Sequence, residues 1–97
     1  QWRLLRYADK DALPKAISTF AEIDLCHYDS DKSYEGRMWA YPRLWNVLRY
    51  GGLFISDDIE DNSAFYEFSQ ECGVTPIVIR SGSKYIGILK KEKGAIA

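Results

Sequence analysis

Along the chain the spacing of apolar and polar positions changes from segment to segment. Trp2–Ala8 alternates loosely in aromatic and leucine side chains and predicts a strand ending at Asp9. Asp11 can then cap a helix to about Phe20, with Pro14 in its first turn and Leu13, Ala16, Ile17 and Phe20 at helical spacing. Ile23–Tyr28 predicts a second strand, and Asp29-Ser30-Asp31-Lys32-Ser33 a polar loop with Ser33 as the next N-cap. From Tyr34 to Arg49 a helix would place Met38, Tyr41, Leu44, Trp45 and Leu48 on one face. Pro42 should kink or divide it, and Gly51-Gly52 should stop it.

Leu53–Ser56 is a short, nearly all-apolar strand, as expected where both sheet faces are covered, and Asp57-Asp58 ends it. Ser63 caps a helix over Ala64–Cys72 that Gly73 terminates. Ile77-Val78-Ile79 and Tyr85–Leu89, separated by Ser81-Gly82-Ser83, predict a hairpin, followed by a frayed Lys-rich tail. Strand and helix alternate before the hairpin, which implies a mostly parallel, Rossmann-like sheet in a three-layer α/β sandwich, with the hairpin adding an antiparallel strand at one edge.

The length of 97 residues suits one domain with a modest core. A content of 46% hydrophobic and 28% charged residues excludes a disordered tail. With 13 Lys and Arg against 14 Asp and Glu there is no basic footprint for nucleic acid, and no apolar run is long enough to span a membrane. The sequence opens Gln-Trp-Arg, without a signal-peptide layout and without Met, so a cytoplasmic piece of a longer protein is the expectation. Cys26 and Cys72 fall in different elements and one histidine cannot complete a zinc site, so both are read as reduced thiols.

In open α/β sheets, ligands bind beyond the carboxyl ends of the strands. Three strands here end in acid, at Asp9, at Asp29 and at Asp57-Asp58. If the second and third strands are neighbours, about 5 Å apart, Asp29 converges with Asp57 or Asp58. Clustered carboxylates repel unless a cation neutralises them, and oxygen ligands of this type suit Mg²⁺ or Ca²⁺. Each acid alone can equally be a turn residue or a helix cap. His27, inside a strand, is read as a packed residue, and Trp39, Tyr41, Trp45, Phe65, Tyr66 and Phe68 as helix-to-sheet packing rather than a pocket for a planar substrate.

The run Ile23-Asp24-Leu25-Cys26-His27-Tyr28-Asp29-Ser30-Asp31-Lys32-Ser33-Tyr34-Glu35-Gly36 resembles the "DLxxIDGDHSYEG" segment of class I S-adenosylmethionine-dependent methyltransferases, in a branch that includes the macrocin O-methyltransferases. Leu44–Ile59 resembles the "LLxPGGxxxxDDI" block that follows, and Ala8–Pro14 resembles the "GDSxxxLP" turn beside the adenine pocket. The resemblance implies methyl transfer from S-adenosylmethionine to an oxygen of a small-molecule acceptor. It places Asp9 on the adenine amino group, Asp29 and Tyr34 beside the cofactor, and Asp29, Asp57 and Asp58 on Mg²⁺. Lys32 stands where that branch has His, and is a candidate for proton transfer or a solvated loop residue; Ser30 replaces the usual Gly.

No glycine precedes Gly36, so the family's glycine-rich cofactor turn is missing, as is the acid that holds the ribose. The likeness therefore begins at the family's third strand and describes an incomplete, C-terminal portion of its fold. In that family two strands lie between those read here as Trp2–Ala8 and Ile23–Tyr28. Their absence leaves a gap, to be closed by direct pairing, by another copy of the chain or by a complementing N-terminal segment. A non-catalytic interaction module and a metal-dependent hydrolase-type domain remain the alternatives to a methyltransferase.

Overall fold

A computed structural model describes residues 4–7 and 23–92. Its elements are β1 (Leu4–Tyr7), β2 (Ile23–Tyr28), α1 (Tyr34–Val47), β3 (Leu48–Ser56), a 3₁₀ turn (Ile59–Asp61), α2 (Ala64–Cys72), β4 (Ile77–Ser81) and β5 (Lys84–Lys90). The strands form one sheet in the order β1-β2-β3-β5-β4. β1, β2 and β3 run parallel, and β5 is antiparallel to both β3 and β4. This is a mixed, partly complete Rossmann-like α/β architecture. The helix expected over residues 11–20 and the turn bearing Asp9 lie outside the described residues.

β1 pairs directly with β2, Leu4 opposite Leu25 and Tyr7 opposite Tyr28. The gap anticipated between these strands is thus closed within the chain.

Both described helices pack on the same sheet face. Period-two alternation turns Cys26 and Tyr28 of β2, Phe54 and Ser56 of β3 and Leu89 of β5 towards them, all buried. Tyr41 of α1 sits at the centre, its ring meeting Tyr28, Phe54, Phe65 and Phe68 at centroid separations of 5.2 to 6.3 Å. Such aromatic pairs add about 0.5–1.5 kcal/mol each beyond area burial. Its phenol hydroxyl, which would be costly to bury alone, shares a 2.7 Å hydrogen bond with Ser56 Oγ. Trp45 and Phe68 complete the cluster, whereas Trp39 is partly buried beneath Arg43 and Tyr66 is exposed. The aromatic run is therefore largely core.

Two expectations about α1 need correction. The helix is not divided at Pro42: it runs unbroken from Tyr34 to Val47, with Pro42 on the exposed side and buried Ala40, Tyr41, Leu44 and Trp45 anchoring both halves to the sheet. It also ends before Gly51-Gly52. The Trp45 carbonyl accepts the Leu48 N–H, and the Lys91 ammonium also donates to it at 2.7 Å and to the Leu48 carbonyl at 2.8 Å. The chain turns extended at Leu48, so β3 is nine residues long rather than four. Gly51 and Gly52 instead lie in an irregularity of the β2–β3 ladder. Gly51 has a φ of 87°, and a Cβ on Gly52 would come within 2.8 Å of the Asp24 carbonyl oxygen. Lys91 accordingly belongs to the packed structure rather than to a frayed tail; residues 93–97 lie outside the described residues.

Helix α2 begins differently from expectation. The Asn62 side chain, rather than that of Ser63, accepts the Ala64 N–H at 3.1 Å, and the Ser63 hydroxyl donates to Glu67. Gly73, with a φ of 69°, closes it as a left-handed cap. The hairpin turns at Gly82, with a φ of 63°, and its β4 is exposed along its whole length.

Candidate functional site

The site grows out of one register relationship. Tyr28 and Ser56 are paired at the ends of the parallel strands β2 and β3, so the residues that follow them, Asp29 and Asp57, emerge side by side. The Asp57 N–H reaches the Tyr28 carbonyl at 3.4 Å. Asp29, Lys32, Asp57 and Asp58 line a single cavity of about 240 Å³ with Ser81, Lys84 and Ile86 from the hairpin. Asp9 lies outside the described residues. Tyr34 does not line the cavity; its phenol donates to Glu67 at 2.8 Å, joining the first turns of α1 and α2. That bond is the first cause holding the Tyr34 phenol above its ordinary pKa, and with the stronger Ser63 bond it holds the Glu67 carboxyl below its own.

Local contacts fix the walls. In the β2–α1 loop the Tyr28 hydroxyl donates to the Asp31 carbonyl and Asp31 Oδ1 accepts the Ser33 N–H at 2.9 Å. Ser33 then caps α1 by accepting the Gly36 N–H at 3.0 Å. Asn62 Nδ2 donates to the Lys32 carbonyl at 2.8 Å, tying that loop to the start of α2. On the other side Glu60 Oε1 accepts the Tyr85 N–H at 2.9 Å, which holds the hairpin, and Lys84 with it, over the strand ends.

Asp58 adopts the left-handed conformation at φ 53° and ψ 44°, a region that Asp tolerates better than most residues. Behind it lies Arg37, whose side chain has no exposed surface. Arg37 Nη2 donates to the carbonyls of Asp57 at 3.2 Å and Asp58 at 3.0 Å. Its Nε and Nη1 find no hydrogen-bond partner among the described residues.

The side-chain pairing around the acids is asymmetric. Asp58 forms an ion pair with Lys32, and Lys84 Nζ approaches its other oxygen at 3.8 Å. The hydrogen bond from Lys32 is the main cause that holds the Asp58 carboxyl below its ordinary pKa, and reciprocally Asp58 raises that of Lys32. Lys32 is thus held protonated. Asp57 Oδ2 is hydrogen-bonded to His27 Nε2 at 3.0 Å, so His27 meets the site from the strand below it rather than being only a packed residue. Among the described residues no three of His, Cys, Asp and Glu are grouped as a metal ion requires. The donor set therefore does not fit the expected Mg²⁺: the acids share a cavity, but Asp58 faces two ammonium groups and Asp57 an imidazole.

Sequence reasoning missed Arg37, Lys84 and His27 as parts of this site. Arg37 falls on the Tyr41–Leu44 stripe, a signal that its charge overrode. Lys84 carries no local signal, because the hairpin's return across the sheet brings it there.

No family model matches the sequence, and no curated protein matches it. Solved structures do. An O-methyltransferase from Bacillus cereus in complex with SAH is 14% identical, with a TM-score of 0.61 over 91% of this chain and 62% of that one. A cofactor-bound protein from MTB is 18% identical, with a TM-score of 0.60 over 86% of this chain and 46% of that one. A methyltransferase from Pyrococcus furiosus is 11% identical, with a TM-score of 0.53 over 92% of this chain and 62% of that one. The chain thus spans between about half and three-fifths of the length of these structures. At such identities the likeness is one of fold: the chain shares a partial Rossmann-like α/β architecture with these structures.

Proposed function

We propose that this chain is the C-terminal part of an S-adenosylmethionine-dependent O-methyltransferase acting on a small-molecule hydroxyl. The observation that carries the reading is the delivery of Asp29 and Asp57 from register-paired strand ends into one cavity with Lys32, in a fold shared with an SAH-bound O-methyltransferase. In methyl transfer to oxygen the S–CH₃ bond of the sulfonium breaks as the O–CH₃ bond forms, and the acceptor hydroxyl gives up its proton. Lys32, held protonated by Asp58, would donate to the acceptor oxygen and stabilise charge developing on it. The proton would pass to a neighbouring carboxylate, Asp29 or Asp57. Asp9 would meet the adenine. Mg²⁺ has no part in this reading, because the residues do not suit it. The macrocin-like branch rests on the resemblance of the Ile23–Gly36 and Leu44–Ile59 segments.

The cofactor's methionine end needs a glycine-rich turn that this sequence lacks, so a complementing N-terminal segment belongs to the proposal. The test is calorimetry with S-adenosylmethionine on this chain and on the same chain extended by the polypeptide encoded immediately upstream. The extended chain should bind and this chain alone should bind weakly or not at all; no gain on extension would count against the reading.

Two observations favour a second reading, a non-catalytic interaction module. β1 and β2 already pair directly, and β4 leaves Ile77, Val78 and Ile79 exposed at the sheet edge. Under it, light scattering should find a stable oligomer, and cofactor binding should stay absent in both forms.

A further inference from the structure

We infer that Lys32 and Lys84 are the built-in cations of the acid cluster, and that they keep divalent metal out of the cavity at the strand ends. A divalent ion held by all three expected acids would take an oxygen from Asp58, the one of the three that sits between the two lysines. Both Asp58 oxygens are already approached by ammonium groups, one from Lys32 in the β2–α1 loop and one at 3.8 Å from Lys84 at the head of β5. Metal and ammonium would compete for the same lone pairs. Any ion that seated itself would lie within a few ångströms of two positive charges. The lysines are tethered to their positions from two independent directions: Asn62 binds the Lys32 carbonyl, and Glu60 binds the N–H of Tyr85, next to Lys84. Their own stems are largely exposed, so the pairing depends on these anchors and on Asp58 rather than on burial.

The charges agree with this assignment. Asp29, Asp57 and Asp58 line the cavity together with Lys32 and Lys84, so two positive charges stand among three negative ones there without a metal. The inference stands apart from methyl transfer, since metal binding is read without any cofactor.

The experiment is a titration of the chain with Mn²⁺, followed by the electron paramagnetic resonance of the free ion, with Mg²⁺ calorimetry in parallel. The unaltered chain should show no binding tighter than millimolar. Lys32→Gln with Lys84→Gln should bind Mn²⁺ at least tenfold more tightly, and adding Asp58→Asn should remove that gain. Both lysines are surface residues, and circular dichroism of each variant verifies the fold; the single Lys32→Gln variant should show part of the gain in any case. Micromolar binding by the unaltered chain that Asp57→Asn abolishes, or no gain in the folded lysine variants, would overturn the inference.

Discussion

Arg37 Nη2 donates to the main-chain carbonyl of Asp58 at 3.0 Å from a side chain with no exposed surface. A charge buried in a helix thereby holds a left-handed turn at the end of a strand, and with it the carboxylate that both lysines face. Replacing Arg37 with Ala should take a donor from two carbonyls, leaving that of Asp58 with the Asp61 N–H at 3.2 Å, and open a void against Tyr41. The expected loss is roughly 2–4 kcal/mol in denaturant unfolding. A loss under about 0.5 kcal/mol would mean that the turn stands without it.

Gly87 of β5 faces Phe65 so closely that an added Cβ would lie 2.4 Å from its ring. Phe65 is fully buried and cannot retreat. Gly87→Ala should therefore destabilise by roughly 1–3 kcal/mol through overpacking. Combining it with Phe65→Leu should give a favourable coupling in a double-mutant cycle, since the smaller side chain makes room. Additive losses would show that the two positions do not touch.

The thiols should be silent in the folded chain. Burial lifts Cys26 to about 12, and burial with the nearby Glu71 lifts Cys72 to about 11, so neither is a thiolate at pH 8. A colorimetric thiol reagent at that pH should find neither Cys26 nor Cys72 before denaturant is added, and both afterwards. Rapid native labelling of Cys26 would place β2 at the surface.

The Asp58–Lys32 pair makes a signed prediction about pH. Asp58 lies below its ordinary value of 3.8, so its contribution to stability is complete above that pH and is lost as pH falls through the lowered folded value. Lys32 lies above 10.5, so its contribution is complete below that pH and is lost as pH rises through the folded value. The stability difference between the chain and its Asp58→Asn variant should be flat across neutral pH and shrink on the acid side. A difference that peaks near neutrality would assign it to another group.

Much of this was legible in the residues. Ile23–Tyr28 and Ala64–Cys72 have the bounds that their spacing predicts, because each is closed by a strong local signal, Asp29 in one case and Gly73 in the other. The convergence of Asp29 and Asp57 was legible too, since an acid directly after each of two paired parallel strands has only one place to go. What escaped was decided over distance. The end of α1 depends on an ammonium 43 residues beyond the Leu48 carbonyl. The metal expectation failed to include Lys84, which no neighbour in sequence connects to Asp58. Arg37 was unreadable for another reason: hydropathy assigns a guanidinium to water, whereas here it is spent on main-chain carbonyls.

The most direct measurement is where a cofactor product perturbs the folded protein. Isotope-labelled protein, extended by its upstream segment and titrated with S-adenosylhomocysteine, should show amide shifts concentrated at Asp29–Lys32 and Asp57–Asp58. Saturating product with those amides unmoved would contradict a ligand site at these strand ends.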